Sequence, residues 1–118
     1  MDTQRLVLEV NRLIQTVEAQ NGVNGLGMLA RTILYFIADA EFEKRRVRVS
    51  DLTTNAAFGS PPTVLSRLTE LEGSGWISYK NDAEDRRIKL VMLTPAARRA
   101  FAKMSKQLHQ MLPGIMDK

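Results

Sequence analysis

The densest grouping of charge in the sequence is Asp82-Ala83-Glu84-Asp85-Arg86-Arg87, with Lys80 and Lys89 on either side. A carboxylate set just before two arginines can accept guanidinium hydrogen bonds and hold an arginine extended. An arginine fixed in this way loses less entropy when it is inserted into a narrow minor groove. The same residues also suit a solvated charged turn whose local ion pairs each contribute well under ~1 kcal/mol. Spacing alone does not separate these two readings.

A second grouping lies upstream. Ser60-Pro61-Pro62 looks like a helix start, a capping serine followed by prolines where helical N–H groups have no partner anyway. On a wheel of ~100° per residue, Val64, Leu68 and Leu71 fall on one face, flanked by Pro61 and Leu65. Pro62, Thr63, Ser66, Thr69 and Glu70 take the opposite face, and Arg67 lies at the border. Short hydroxyl side chains let a backbone approach base edges closely, and an arginine can pair with guanine or phosphate. An ordinary amphipathic surface helix has the same pattern.

Other chemistry finds little support. The chain has no cysteine, so disulfides and thiolate metal sites are excluded. Its one histidine, His109, has no cysteine to partner it, and Gly22, Gly25 and Gly27 do not form a dinucleotide loop. Asp82, Glu84 and Asp85 do not have the spacing of a calcium loop. We therefore expect no enzyme activity, no metal and no cofactor.

The elements that must position these groups can be read from periodicity. Leu6, Val10, Leu13 and Val17 form a helical seam over about 3–20, ended by two Asn-Gly pairs. A second helix is expected over roughly Met28 to Arg45, with Leu29, Ile33, Phe36, Ile37 and Ala40 inward and Asp39, Glu41 and Glu43 largely outward. Lys44-Arg45-Arg46 would close it at the negative end of the helix dipole. Val47-Arg48-Val49 is a strand candidate, and Ser50 a cap for a short helix through about Ala57. The helix from Ser60 should stop at Gly73-Ser74-Gly75. Trp76–Lys80 and Arg86–Leu93 then predict a β-hairpin with a charged tip. Thr94-Pro95 opens a final helix to about Leu112, where Phe101, Met104, Leu108 and Met111 form a second seam before Pro113-Gly114.

Charge is unevenly spread along these elements. Met1 to Glu43 holds three Lys/Arg against six Asp/Glu, whereas Lys44 to Lys106 holds thirteen against six. A distinctly basic segment within a chain of net charge +4 is the footprint expected of a nucleic-acid face. The start of the chain does not read as a signal peptide, and no apolar run nears the ~20 residues needed to span a bilayer. A cytoplasmic location without membrane attachment is the default expectation.

The order helix, strand, short helix, turn, helix, hairpin is that of a winged helix-turn-helix. From about Val49 to Arg99 the chain resembles the MarR family of transcriptional regulators. The matching residues are Ser50-Asp51-Leu52, Thr63 through Glu72, Gly75-Trp76-Ile77, Asp82 with Asp85-Arg86-Arg87, and Leu93-Thr94-Pro95. It departs from the family pattern at Ala97, where glycine is common, and at Pro61-Pro62, and its C-terminal part is short.

The resemblance implies a homodimer built from the terminal helices, with two recognition helices in successive major grooves of a near-palindromic operator. It also implies that Asp85 orients the wing and that Arg87, beside Arg86, enters the minor groove. Ser60, Pro62, Thr63, Ser66, Arg67 and Thr69 are the candidate recognition-helix contacts. Asp85, Arg86, Arg87 and Lys89 are those of the wing. Leu6, Val10, Leu13, Val17, Phe101, Met104, Leu108 and Met111 are candidates for the dimer interface, although the two seams could instead pack on each other within one chain.

The expected fold is mainly α with a small β-hairpin (α+β). A single winged-helix domain would span 1–118, with a core of about 47–93 and dimerisation helices at about 3–20 and 95–112. The function read from this is a double-stranded DNA-binding transcriptional regulator, a repressor in the leading reading. A small aromatic or anionic effector is a further partner left open. The alternative is a winged-helix protein-interaction module without an operator of its own, since fold does not fix function.

Overall fold

The computed structural model describes residues 3–117. Among these, five α-helices and three strands follow in the order α1 (Leu6–Gln20), α2 (Met28–Phe42), β1 (Val47–Arg48), α3 (Val49–Thr53), α4 (Pro61–Gly73), β2 (Ile77–Asn81), β3 (Lys89–Leu93) and α5 (Pro95–Met116). Short 3-10 turns at Val23–Gly25 and Ala56–Phe58 complete the path. The mainly α architecture with a small antiparallel sheet is the α+β winged-helix class expected from the sequence. Two compact units result: Gly27–Arg98, and the residues up to Leu26 together with those from Arg99 onward.

In the first unit the sheet has the order β1-β3-β2, all antiparallel. Val47 faces Val91 and Arg48 faces Leu90, so the strand candidate at 47–48 adds a third strand to the hairpin. The core comes from α2, α3, α4 and the sheet: Ile33, Leu34, Ile37, Leu52, Val64, Leu68, Leu71, Ile77 and Leu93 are fully buried. Phe36 and Phe58 meet edge to face at 5.3 Å, a geometry that the aromatic quadrupole favours.

Helix ends explain several boundaries. α4 stops in a Schellman arrangement, in which Trp76 N–H donates to the Leu71 carbonyl at 2.9 Å and Gly75 N–H to Glu72 at 3.0 Å. Gly75 takes φ +81°, which glycine adopts without steric cost. α2 ends the same way three residues earlier than the sequence suggests. Arg45 N–H donates to the Ala40 carbonyl at 2.8 Å while Lys44 stands at φ 60°. The basic cluster therefore follows the helix instead of closing it.

Ser50 is not the cap of α3. The helix begins at Val49, and the Asp51 carboxylate accepts the Arg48 N–H at 2.9 Å. The 3-10 turn at Ala56–Phe58 replaces the expected last turn of that helix. Glu41 also departs from expectation by turning inward. Its Oε1 accepts Leu93 N–H at 3.2 Å, and its two oxygens take Arg98 Nη2 and Nε at 3.1 and 2.7 Å. The carboxylate thereby joins α2 to the end of β3 and the first turn of α5. Thr94 caps α5 as expected: its Oγ1 accepts Ala97 N–H at 3.0 Å and donates to the Gly75 carbonyl at 2.6 Å.

In the second unit Leu13, Val17, Val23, Met104 and Ile115 are buried. Asn21 Nδ2 donates to Gln107 Oε1 at 2.9 Å, and Gln107 Nε2 to Gln20 Oε1 at 2.9 Å, joining α1 to α5. α5 runs through Pro113 to Met116, past the expected break. Asp117 N–H bonds to the Pro113 carbonyl at 2.9 Å, and burial of Ile115 holds the extra turn against proline's missing donor.

Candidate nucleic-acid interface

α3 and α4 are joined by the tight turn at 56–58, where Asn55 Oδ1 accepts Ala57 N–H at 3.0 Å and Gly59 adopts φ +97°. Ser60 precedes α4, with Pro61 and Pro62 in its first two positions. Proline at the second position offers no N–H, and the Ser60 hydroxyl pairs with the Thr63 hydroxyl at 3.0 Å instead of capping the backbone. Val64, Leu68 and Leu71 form the buried face, as the wheel predicts. Pro61, Pro62, Thr63, Leu65, Ser66 and Thr69 are exposed. Arg67 is half-buried, with Nη1 3.2 Å from Glu70 Oε1. The other Glu70 oxygen is buried and accepts no hydrogen bond.

The hairpin tip is a hydrogen-bonded structure. Asp82 N–H donates to the Ile88 carbonyl at 2.9 Å and Ile88 N–H to Asp85 at 3.0 Å, which closes the loop. Arg86 and Arg87 thus lie in the turn, and β3 begins only at Lys89. Asp82 is itself buried. Its Oδ1 accepts Glu84 and Asp85 N–H at 2.8 and 3.2 Å, and its Oδ2 accepts Arg46 Nη1 at 3.1 Å. Asn81 Nδ2 donates to the Arg86 carbonyl at 2.7 Å.

Asp85 and Arg87 form a two-pronged pair. Oδ1 accepts both the backbone N–H and Nε of Arg87, at 3.1 and 3.0 Å, and Oδ2 accepts Nη2 at 3.0 Å. This geometry fixes the guanidinium plane while the arginine side chain stays 90% exposed. Lys89 Nζ lies 4.7 Å from the centre of the Tyr79 ring. Tyr79 hydroxyl acidity is weakened by burial and, secondarily, by the Glu72 charge, so it remains a neutral platform.

Electrostatics follow the bonds. The Asp82 carboxyl is held below its ordinary value, chiefly by the Glu84 and Asp85 N–H groups and then by Arg46 and Arg48, against partial desolvation. Asp85 is lowered mainly by the Arg87 side chain, then by the Arg87 N–H. The Arg87 guanidinium is correspondingly raised by Asp85.

Of the residues singled out by sequence, Ser60, Pro62, Thr63, Ser66 and Thr69 share the exposed side of α4, and Arg67 borders it. Asp85 and Arg87 meet, with Arg86 and Lys89 exposed beside them. In the terminal helices Leu13, Val17 and Met104 are buried in the single chain, Leu6, Val10, Phe101 and Leu108 are half-buried, and Met111 is exposed. Sequence reasoning did not assign Arg46, Asn81 or Tyr79 to the site. Arg46 meets Asp82 across 36 positions, a pairing that no local pattern announces.

By sequence, no family model matches the chain and no curated protein is significantly similar to it. Solved structures do match. A point variant of MepR from S. aureus bound to an oligodeoxyribonucleotide superposes with a TM-score of 0.69 at 16% identity, over 100% of this chain and 83% of that one. A transcriptional regulator from Thermotoga maritima gives 0.66 at 17% identity, over 97% and 78%. AbsC, a MarR family transcriptional regulator from Streptomyces coelicolor, gives 0.52 at 28% identity, over 93% and 78%. The chain therefore has the winged helix-turn-helix fold. More particularly, it is the MarR-like form of that fold, shared with transcriptional regulators.

Proposed function

We propose that the protein is a sequence-specific regulator of transcription that binds double-stranded DNA, acting as a repressor on a near-palindromic operator as a homodimer. In this reading α4 is the recognition helix in the major groove, contacting bases and phosphates through Ser60, Pro62, Thr63, Ser66, Arg67 and Thr69. The wing enters the minor groove through Arg87, oriented by Asp85, with Arg86 and Lys89 against phosphate. The observation that carries it is the Asp85–Arg87 pair, which presents an exposed guanidinium in a fixed plane. Fixing the plane in advance reduces the entropy lost on insertion. The regulators that share the fold, and the DNA-bound MepR variant among them, support the same reading.

The homodimer would use the seams of the terminal helices, extended by Val7, Leu8, Leu112 and Met116, which are exposed although apolar. The candidate place for a small aromatic or anionic effector is a cavity of about 200 Å³ in the Gly27–Arg98 unit, which Glu41 also lines. Ile37, Val47 and Met92 give it apolar walls, and Arg46 and Lys80 are among its lining cations.

Fluorescence anisotropy with labelled duplexes across a salt series tests the proposal. Affinity should fall steeply with salt, since neutralised phosphates release counterions. Arg87→Ala should weaken binding by about tenfold or more, and Arg5→Ala hardly at all. Equal effects of the two substitutions would remove the wing from the mechanism, and absence of binding at low salt would remove DNA.

A further inference from the structure

We infer that Leu65 is a specificity determinant that reads thymine methyl groups in the major groove, so that the preferred operator half-site carries thymine under the first turns of α4. This rests on the reading that α4 enters the major groove. Leu65 is 48% exposed on a helix whose other large apolar residues, Val64, Leu68 and Leu71, are wholly buried. Around it lie Pro61, Pro62, Ser66 and Thr69, all exposed. Several α4 donors already have a partner in the free protein, which each would give up on reaching a base. Arg67, the one cation of α4, is drawn to Glu70 at 3.2 Å. The Thr69 hydroxyl donates to the Leu65 carbonyl at 3.0 Å, and the Ser60 and Thr63 hydroxyls pair with each other.

At Leu65, with Pro61 and Pro62 beside it, α4 therefore offers a base edge methyl, methylene and ring carbon, while Ser66 lies next to this patch. In the major groove the one apolar group displayed by unmodified base pairs is the C5-methyl of thymine. Guanine presents two acceptors, which would lose water to Leu65 and gain no donor. Discrimination thus comes from burying thymine methyls and from desolvating guanine without compensation.

The test uses a duplex that the protein itself recovers from a random-sequence pool, compared with the same duplex carrying deoxyuridine for thymine. Deoxyuridine keeps the pairing and removes only the methyl. Wild type should bind the thymine duplex more tightly, by about fourfold for each methyl contacted. Leu65→Ala, whose fold is checked by circular dichroism, should bind the two duplexes equally, whereas Arg87→Ala should weaken both and keep the ratio. Equal binding of both duplexes by wild type overturns the inference and leaves DNA recognition intact. A thymine preference that survives Leu65→Ala overturns the assignment to Leu65. Failure to recover any duplex at low salt overturns this inference together with the proposed function.

Discussion

At Asp85 a single carboxylate accepts three hydrogen bonds from one arginine, which makes it a positioning residue for Arg87. Replacing it with alanine would leave the sheet unaltered, because the β2–β3 ladder does not use its side chain. Asp85→Ala should weaken DNA binding about three- to fivefold through added arginine freedom, with only a small fall in thermal midpoint. Arg87→Lys should not rescue, since an ammonium cannot reproduce the planar fork. The pH dependence has a definite sign. Asp82 and Asp85 both titrate below their ordinary 3.8. A group whose folded pKa is depressed contributes order fully above its unfolded pKa and loses it as pH falls through the folded one. The tip should therefore keep its bonds in neutral and mildly acidic solution and lose them only below 3.8. NMR of the Glu84, Asp85 and Arg87 amides over about pH 6 to 2 reads this directly. A transition centred above that value would refute it.

Among the elements, the two Schellman ends are instructive because one uses glycine and the other lysine. Lys44 stands at φ 60°, where a Cβ is crowded, so Lys44→Gly should be neutral or stabilise by up to about 1 kcal/mol. Gly75→Ala should destabilise by about 1 kcal/mol, and the cost comes from the backbone alone, since an added Cβ would meet nothing within 4 Å. Thermal unfolding of the two variants checks both signs. The residues around these ends were largely legible in advance: Gly73-Ser74-Gly75 marks a stop and Thr94-Pro95 a start by local chemistry alone. The end of α2 was not, since Lys44 is an improbable residue for a left-handed position and only the bonds back to Glu41 and Ala40 place it there.

For the whole molecule the proposed homodimer makes a separable prediction. Val7 is 72% exposed, so Val7→Asp should leave the monomer fold intact and lower the sedimentation coefficient toward that of a monomer. Leu13→Asp would confuse the two effects, because Leu13 is buried within the chain. A wild type that sediments as a monomer at micromolar concentration would remove the dimer from the proposal. Among the described residues no helix is long and apolar enough to cross a membrane.

What the sequence determined by itself is whatever is encoded within a few residues: the buried face of α4 at three- and four-residue spacing, the hairpin, the Thr94-Pro95 start of α5, and Asp85 beside Arg87. These depend on backbone geometry and nearest neighbours, which travel with the chain. Tertiary structure alone decided that Arg46 braces Asp82, that Glu41 turns inward to Arg98 and Leu93, that Lys89 lies over Tyr79, and that α5 continues past Pro113. In each case a charged or strained group takes a partner chosen by which surfaces the packed core brings together. Periodicity can state that a face is polar, but only the folded chain determines what that face meets.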